Sequence, residues 1–217
     1  EASRTSTFTN EAFQSAGLDR TQAGGVYAPP PLNSTTELPV QNPWSTFNDS
    51  QTRVLNALFV SGQPVFAMLD ASRDPLVRAF VEACGEHYVS LNDTLVQNRS
   101  AAGSYLLALR PTSAKMLDVL LKDGWGKQWG VYCTAPASID QVAAHLKMFI
   151  NVYSGNGMPF SLRLFDPNLL RWFLLGLQPH EQRLVFGPIH TFLFESDNGA
   201  NLIRVGQGQF GLAVETT

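Results

Sequence analysis

The stretch from Trp125 to Pro188 constrains the fold most, because its hydrophobic periodicity changes repeatedly and start and stop signals mark the changes. Trp129 to Cys133 is apolar enough for a strand. Ser138 then offers a side-chain oxygen to free backbone amides, and Gln141 is placed to reach back, the pairing of a capping box. Ile139, Val142, Ala143, Leu146, Phe149 and Ile150 follow at spacings of three and four that put them on one helical face, which must be a core face. The turn Ser154 to Gly157 reverses the chain, and Phe160, Leu162 and Leu164 alternate with Ser161, Arg163 and Phe165 as a second strand. Asp166-Pro167 ends that strand and starts a helix, since Asp is a good cap and Pro at the first helical position sacrifices no hydrogen bond. Strand, helix, strand and helix in this order predict an α/β fold.

Composition narrows the class. The 217 residues are 44% hydrophobic and only 15% charged, enough to bury one good core. A net charge of -3, with basic residues scattered singly, gives no clustered Lys and Arg for phosphates, so no nucleic-acid partner is expected. The richest apolar run, Leu169 to Leu177, is broken by Arg171 and Gly176 and falls short of the roughly 20 residues that cross a bilayer. A soluble protein with no membrane partner is expected. Cys84 and Cys133 lack the count and spacing of a disulfide framework or a zinc site, which favours a reducing compartment. His87, His145, His180 and His190 show no metal-ligand spacing, so neither metal nor cofactor is expected.

Three segments differ in kind. Residues 1–45 are rich in Ser, Thr, Asn and Gln, interrupted by Gly24-Gly25 and Pro29-Pro30-Pro31, and form an extension or linker. Tyr27, Leu32, Leu38, Val40 and Trp44 leave a docked arm open as an alternative. Residues 46–195 form the α/β domain. Asp49 or Ser50 caps a first helix, Val65 to Leu69 is a strand, and Asp74-Pro75 opens a helix that Gly85 stops. Tyr105 to Leu109 is a strand, and Pro111 to Lys122 a helix capped by Thr112 or Ser113. Between them, His87 to Ser100 is polar and reads only as a short strand and a helical turn. His180 to Val185 is a further short helix, and His190 to Phe194 begins the strand-like end of the chain. Residues 196–217 add C-terminal strands after the turn Asp197-Asn198-Gly199. The expected architecture is a mixed or mostly parallel sheet flanked by helices.

Few residues suggest chemistry. Gly206 to Gly211 matches G-x-G-x-x-G, but too little chain follows for the helix and strand that dinucleotide binding needs, so a Gly-rich terminal hairpin is expected instead. Signatures of P-loops, zinc proteases and nucleophile elbows are absent. Asp70, Asp74 and Asp166 end predicted strands; capping accounts for the last two and leaves Asp70 unexplained. Arg163, among apolar neighbours, is costly to bury unpaired and should meet a carboxylate. His145 reads as a core-boundary imidazole with one backbone partner, and Trp125 and Trp129 as core, with a contact surface as the alternative.

F-A-M-L-D-A-S-R-D-P from Phe66, S-Y-L-L-A-L from Ser104, W-G-V-Y from Trp129, H-L-K-M-F from His145, L-R-L-F-D-P from Leu162 and F-G-P-I from Phe186 form an ordered set. The set resembles the adaptor-chaperone domain of bacterial type VI secretion. The resemblance covers roughly residues 50–195. It implies a non-enzymatic, cytoplasmic adaptor that binds a secreted toxin effector and helps load it onto the spike protein VgrG. Asp70, Asp74, Trp129, His145, Arg163, Asp166, Pro167, Gly187 and Pro188 are then motif residues with mainly structural roles, with no catalytic residue and an unassigned partner surface. The competing expectation is a hydrolase-type α/β enzyme using Asp70, Asp166 and His145, and a third is an immunity-like or purely structural binding module.

Overall fold

A computed structural model describes residues 44–92, 103–153, 155–157, 159–208 and 211–216, all within the second of two units, Gln41–Thr217. Its elements run α1 (Asp49–Phe59), β1 (Val65–Asp70), α2 (Pro75–Ala83), β2 (Tyr88–Ser90), β3 (Ser104–Leu109), α3 (Ala114–Val119) and β4 (Gly130–Thr134). They continue with α4 (Ile139–Ile150), β5 (Asn151–Tyr153), β6 (Pro159–Ser161), α5 (Pro167–Gly176), α6 (Pro179–Phe186), β7 (Thr191–Ser196), β8 (Asn201–Gly208) and β9 (Gly211–Thr216). The fold is α/β, with helices on both faces of a seven-stranded sheet of order β2-β3-β1-β4-β7-β8-β9.

The sheet is antiparallel throughout, not mostly parallel as the alternation of helix and strand suggested. The crossover through α3 does join two strands of the same direction, β3 and β4, but β1 lies between them and runs against both. All six residues of β1 are buried, so it reads as a continuous apolar run, the pattern usually found in parallel sheets covered on both faces. Its side chains alternate between two cores. Phe66 and Met68 join Ile139, Val142, Leu146, Leu170, Leu174 and Phe186 under α4, α5 and α6. Val65, Ala67 and Leu69 join Leu55, Leu58, Val77, Val81 and Leu117 under α1, α2 and α3.

Several local expectations shift. Asn48, not Asp49 or Ser50, caps α1, accepting from Gln51 N at 2.9 Å while its own amide donates to Gln51 Oε1 at 3.1 Å. The helix expected up to Lys122 is α-helical only over Ala114–Val119 and widens into a π-helical turn over Leu120–Gly124. Ser113 does not cap it: its hydroxyl donates to Glu86 Oε1 at 2.5 Å, and Arg110 meets the other oxygen at 2.7 Å. Burial alone would raise the Glu86 pKa, but these hydrogen bonds from Ser113 and Arg110 outweigh it and hold the carboxyl below its ordinary value.

The strand expected over Phe160 to Phe165 is regular only at Pro159–Ser161, and it pairs with β5 in a separate two-stranded ribbon. Beyond it, bonds from Leu164 N to the Leu162 carbonyl and from Asp166 N to the Arg163 carbonyl, both 2.9 Å, turn the chain into α5. The terminal strands β8 and β9 continue the main sheet, and Gly208 faces Gly211 in their hairpin, where the G-x-G-x-x-G pattern falls. Trp44 stacks on Phe59 at 6.0 Å and donates its indole N–H to the Pro111 carbonyl at 3.2 Å. Residues 1–43, with Tyr27, Leu32, Leu38 and Val40, lie outside the described residues, as does the helical turn expected before Ser100.

At Gly130, opposite Leu69, β4 approaches β1 so closely that a Cβ would sit 1.9 Å from the Met68 carbonyl oxygen. Gly130→Ala should therefore cost about 3 kcal/mol or more in chemical denaturation, because backbone rather than a flexible side chain must move. Gly206→Ala, whose nearest contact would be an ordinary 3.5 Å, should be far milder.

Candidate functional site

The end of β1 and the start of α5 carry a closed polar cluster built from two of the sequence motifs. Asp70 is only 2% exposed. One of its oxygens accepts from the Ser72 amide at 2.9 Å and the Ser72 hydroxyl at 2.6 Å. The other accepts from Arg163 Nη2 at 2.5 Å and lies 4.0 Å from Arg73 Nε. Arg73 reaches across to Asp166 Oδ2, and Arg163 also donates to the Ser72 hydroxyl at 3.3 Å. The Arg163 guanidinium lies 5.8 Å from the centre of the Phe165 ring, within range of a cation–π contact. Two arginines and two aspartates thus balance one another, and the carboxylate that Arg163 was expected to need is Asp70.

Asp166 has a double task. Its Oδ1 caps α5, accepting from Asn168 N at 3.0 Å and Leu169 N at 3.2 Å, while Oδ2 takes Arg73. Pro167 is buried at the first helical position. Asp74 repeats the device at α2, accepting from Leu76 N at 2.9 Å, and its second oxygen takes the Trp129 indole N–H at 3.3 Å. Trp129 is buried in the α1–α3 core against Phe80.

His145 belongs to a different set of contacts. Its Nε2 lies 2.8 Å from the Val185 carbonyl oxygen, which can only accept, so Nε2 carries the proton. The ring meets Phe149 edge-on at 5.2 Å and rests against Gly187, where an added Cβ would fall 2.2 Å from the imidazole Cε1. Gly187 holds φ +50°, and Ile189 N donates to the Phe186 carbonyl at 2.8 Å, closing a tight turn with Pro188 at its second corner. The H-L-K-M-F and F-G-P-I motifs are therefore two halves of one contact.

Glu195 went unnoticed in the sequence. It is 5% exposed on β7 and accepts from the amides of Gly126 and Gln128, fixing the turn before β4, while Trp125 Nε1 donates to the Gly199 carbonyl at 2.9 Å. Burial raises its pKa, against the opposing pull of the Gln128 and Gly126 amides. The signal that would have found it is the one used for Arg163: a lone charge inside an apolar strand, T-F-L-F-E-S. Cys133 is a free, fully buried thiol, pushed up to about 12 by desolvation, and Cys84 is also free. Among the described residues no cluster of three or more His, Cys, Asp and Glu could hold a metal ion, and no helix is long and apolar enough to cross a membrane.

Residues 65–184 match the model of a family described as a domain of unknown function, DUF4123. The match spans more than half of the chain, and the protein belongs to that family, which is known as an effector-loading adaptor domain of type VI secretion. No curated protein and no solved structure matches the chain.

The His145–Gly187 contact makes a sharp expectation. Gly187→Ala must both hold a positive φ and displace the imidazole, and should lower stability by about 2 kcal/mol or more. In a His145→Ala background the same change should cost at least about 1 kcal/mol less, because the ring it would strike is gone. Thermal and urea denaturation of the four proteins in this cycle measure the difference.

Proposed function

We propose that this protein is a non-enzymatic adaptor chaperone that binds a secreted toxin effector in the bacterial cytoplasm and helps load it onto a VgrG-type spike of a type VI secretion system. Membership of the adaptor-domain family carries this reading, and the match includes the whole Asp70–Arg73–Arg163–Asp166 cluster. The chemistry of the cluster supports it. A general base must reach the proton it takes, and a nucleophile needs an adjacent base. Both oxygens of Asp70 and both of Asp166 are already engaged by arginine, serine or helix amides. The His145 Nε2–H donates to the Val185 carbonyl, and the ring packs against Phe149 and Gly187.

Size-exclusion chromatography of the chain with the products of its neighbouring genes tests the proposal. A stable complex with one secreted effector, and a further complex when a VgrG-type protein is added, are expected, with no turnover of ester, amide or phosphoester substrates. Failure to bind any neighbour, or a hydrolytic activity abolished by Asp70→Asn or His145→Ala in a folded variant, would overturn it.

A further inference from the structure

Among the described residues, one edge of the main sheet carries few of the features that normally protect such edges. β2, at one end of the order, is three residues long, and a short edge strand is a poor template for pairing. β9, at the other end, runs for six residues, G-L-A-V-E-T, with no Pro or Lys and Glu215 as its only charge. Among the described residues no strand pairs with its outer side. Its row of backbone donors and acceptors is a template for another strand.

The layer beside this edge is apolar and open. Leu212 and Val214 lie on the same face as Ile203 and Val205, and together with Leu174 and Leu175 they line a groove between α5 and the sheet edge. Val214 is 50% exposed and Leu175 52%. Trp172, one i,i+3 step from Leu175 on α5, is 74% exposed. Arg171 stands at the groove and has no carboxylate partner among the described residues. Among the described residues, the helix layer therefore presents apolar side chains and a cation without a carboxylate partner beside a sheet edge that no further strand covers.

We infer that the β9 edge and the α5 groove receive an extended segment of the carried protein, added to the sheet as a further strand. The segment is apolar at alternate positions, which face Val214 and Leu175, and bears a carboxylate that meets Arg171. Main-chain hydrogen bonds to β9 would supply affinity, and the groove and Arg171 would supply selection. A second copy of this chain fits less well. Pairing β9 with itself about a two-fold axis puts both grooves on one face of the joined sheet, and with them two Arg171 guanidinium groups, while the residues that line each groove include no acid. The inference rests on the adaptor reading and names its surface.

The probe is the neighbour-encoded protein that co-elutes with the wild-type chain. Val214→Lys and Leu175→Glu should each weaken that complex by about tenfold or more, as expected for anchor positions. Arg171→Glu should weaken it less and remove its sensitivity to salt, and Val60→Asp, at an exposed apolar residue of the opposite layer, should leave it unchanged. Amide exchange of residues 211–216 in the wild-type chain should slow on complex formation, a readout that does not depend on how the variants fold. A complex that survives Val214→Lys and Leu175→Glu, or forms without protecting these amides, overturns the inference and leaves the adaptor reading standing. A homodimer of the chain alone that loses its dimer on Val214→Lys assigns the edge to self-association and also overturns it. If no neighbour binds the wild-type chain, both the inference and the adaptor reading fall.

Discussion

A carboxylate buried at the end of a central strand must be compensated where it sits, or the strand cannot end there. Asp70 is that group, and its compensation reaches 93 residues along the chain to Arg163. The same bridge places Asp166 beside Arg73, and Asp166 is the cap of α5. Ion pairs of this kind add modest net stability, but removing one partner leaves a buried charge that costs several kcal/mol. The cluster therefore works as a positional lock. It determines where α5 begins relative to β1, and hence where α5 lies over the core and beside β8 and β9.

What could be read from the sequence follows from which interactions are local. The caps at Asp74-Pro75 and Asp166-Pro167, the capping box of Ser138 and Gln141, and the apolar face of α4 are decided within one or two turns of chain, and the structure contains each of them. Strand direction is decided by partners far away in sequence. The side-chain alternation of β1 is the same whether its neighbours run with it or against it, so the antiparallel sheet was not legible. Arg163 lies between these cases. Its need for a carboxylate followed from its surroundings, whereas the identity of Asp70 required the fold.

The motif residues divide along physical lines. Asp70, Arg163, Asp166 and Pro167 belong to the lock, Asp74 and Trp129 to its neighbour at α2, and His145, Gly187 and Pro188 to a packing contact between α4 and the turn after α6. His145 and Gly187 depend on each other because only a residue without a Cβ leaves room for the imidazole. The first two groups hold helix starts to the sheet through polar contacts, and the third packs α4 against α6 and the turn after it, each with its partners inside the fold. The groove beside β9 differs in kind, since Val214, Leu175 and Arg171 face outward at its rim over the buried Leu174, Ile203 and Val205.

The lock is tested most directly by a double-mutant cycle on Asp70→Asn and Arg163→Met, read by urea denaturation. If the buried carboxylate and the distant guanidinium depend on each other as described, the two changes together should cost at least about 1 kcal/mol less than the sum of the single changes. Additivity within about 0.3 kcal/mol would mean that the pair is not coupled, and would contradict the account.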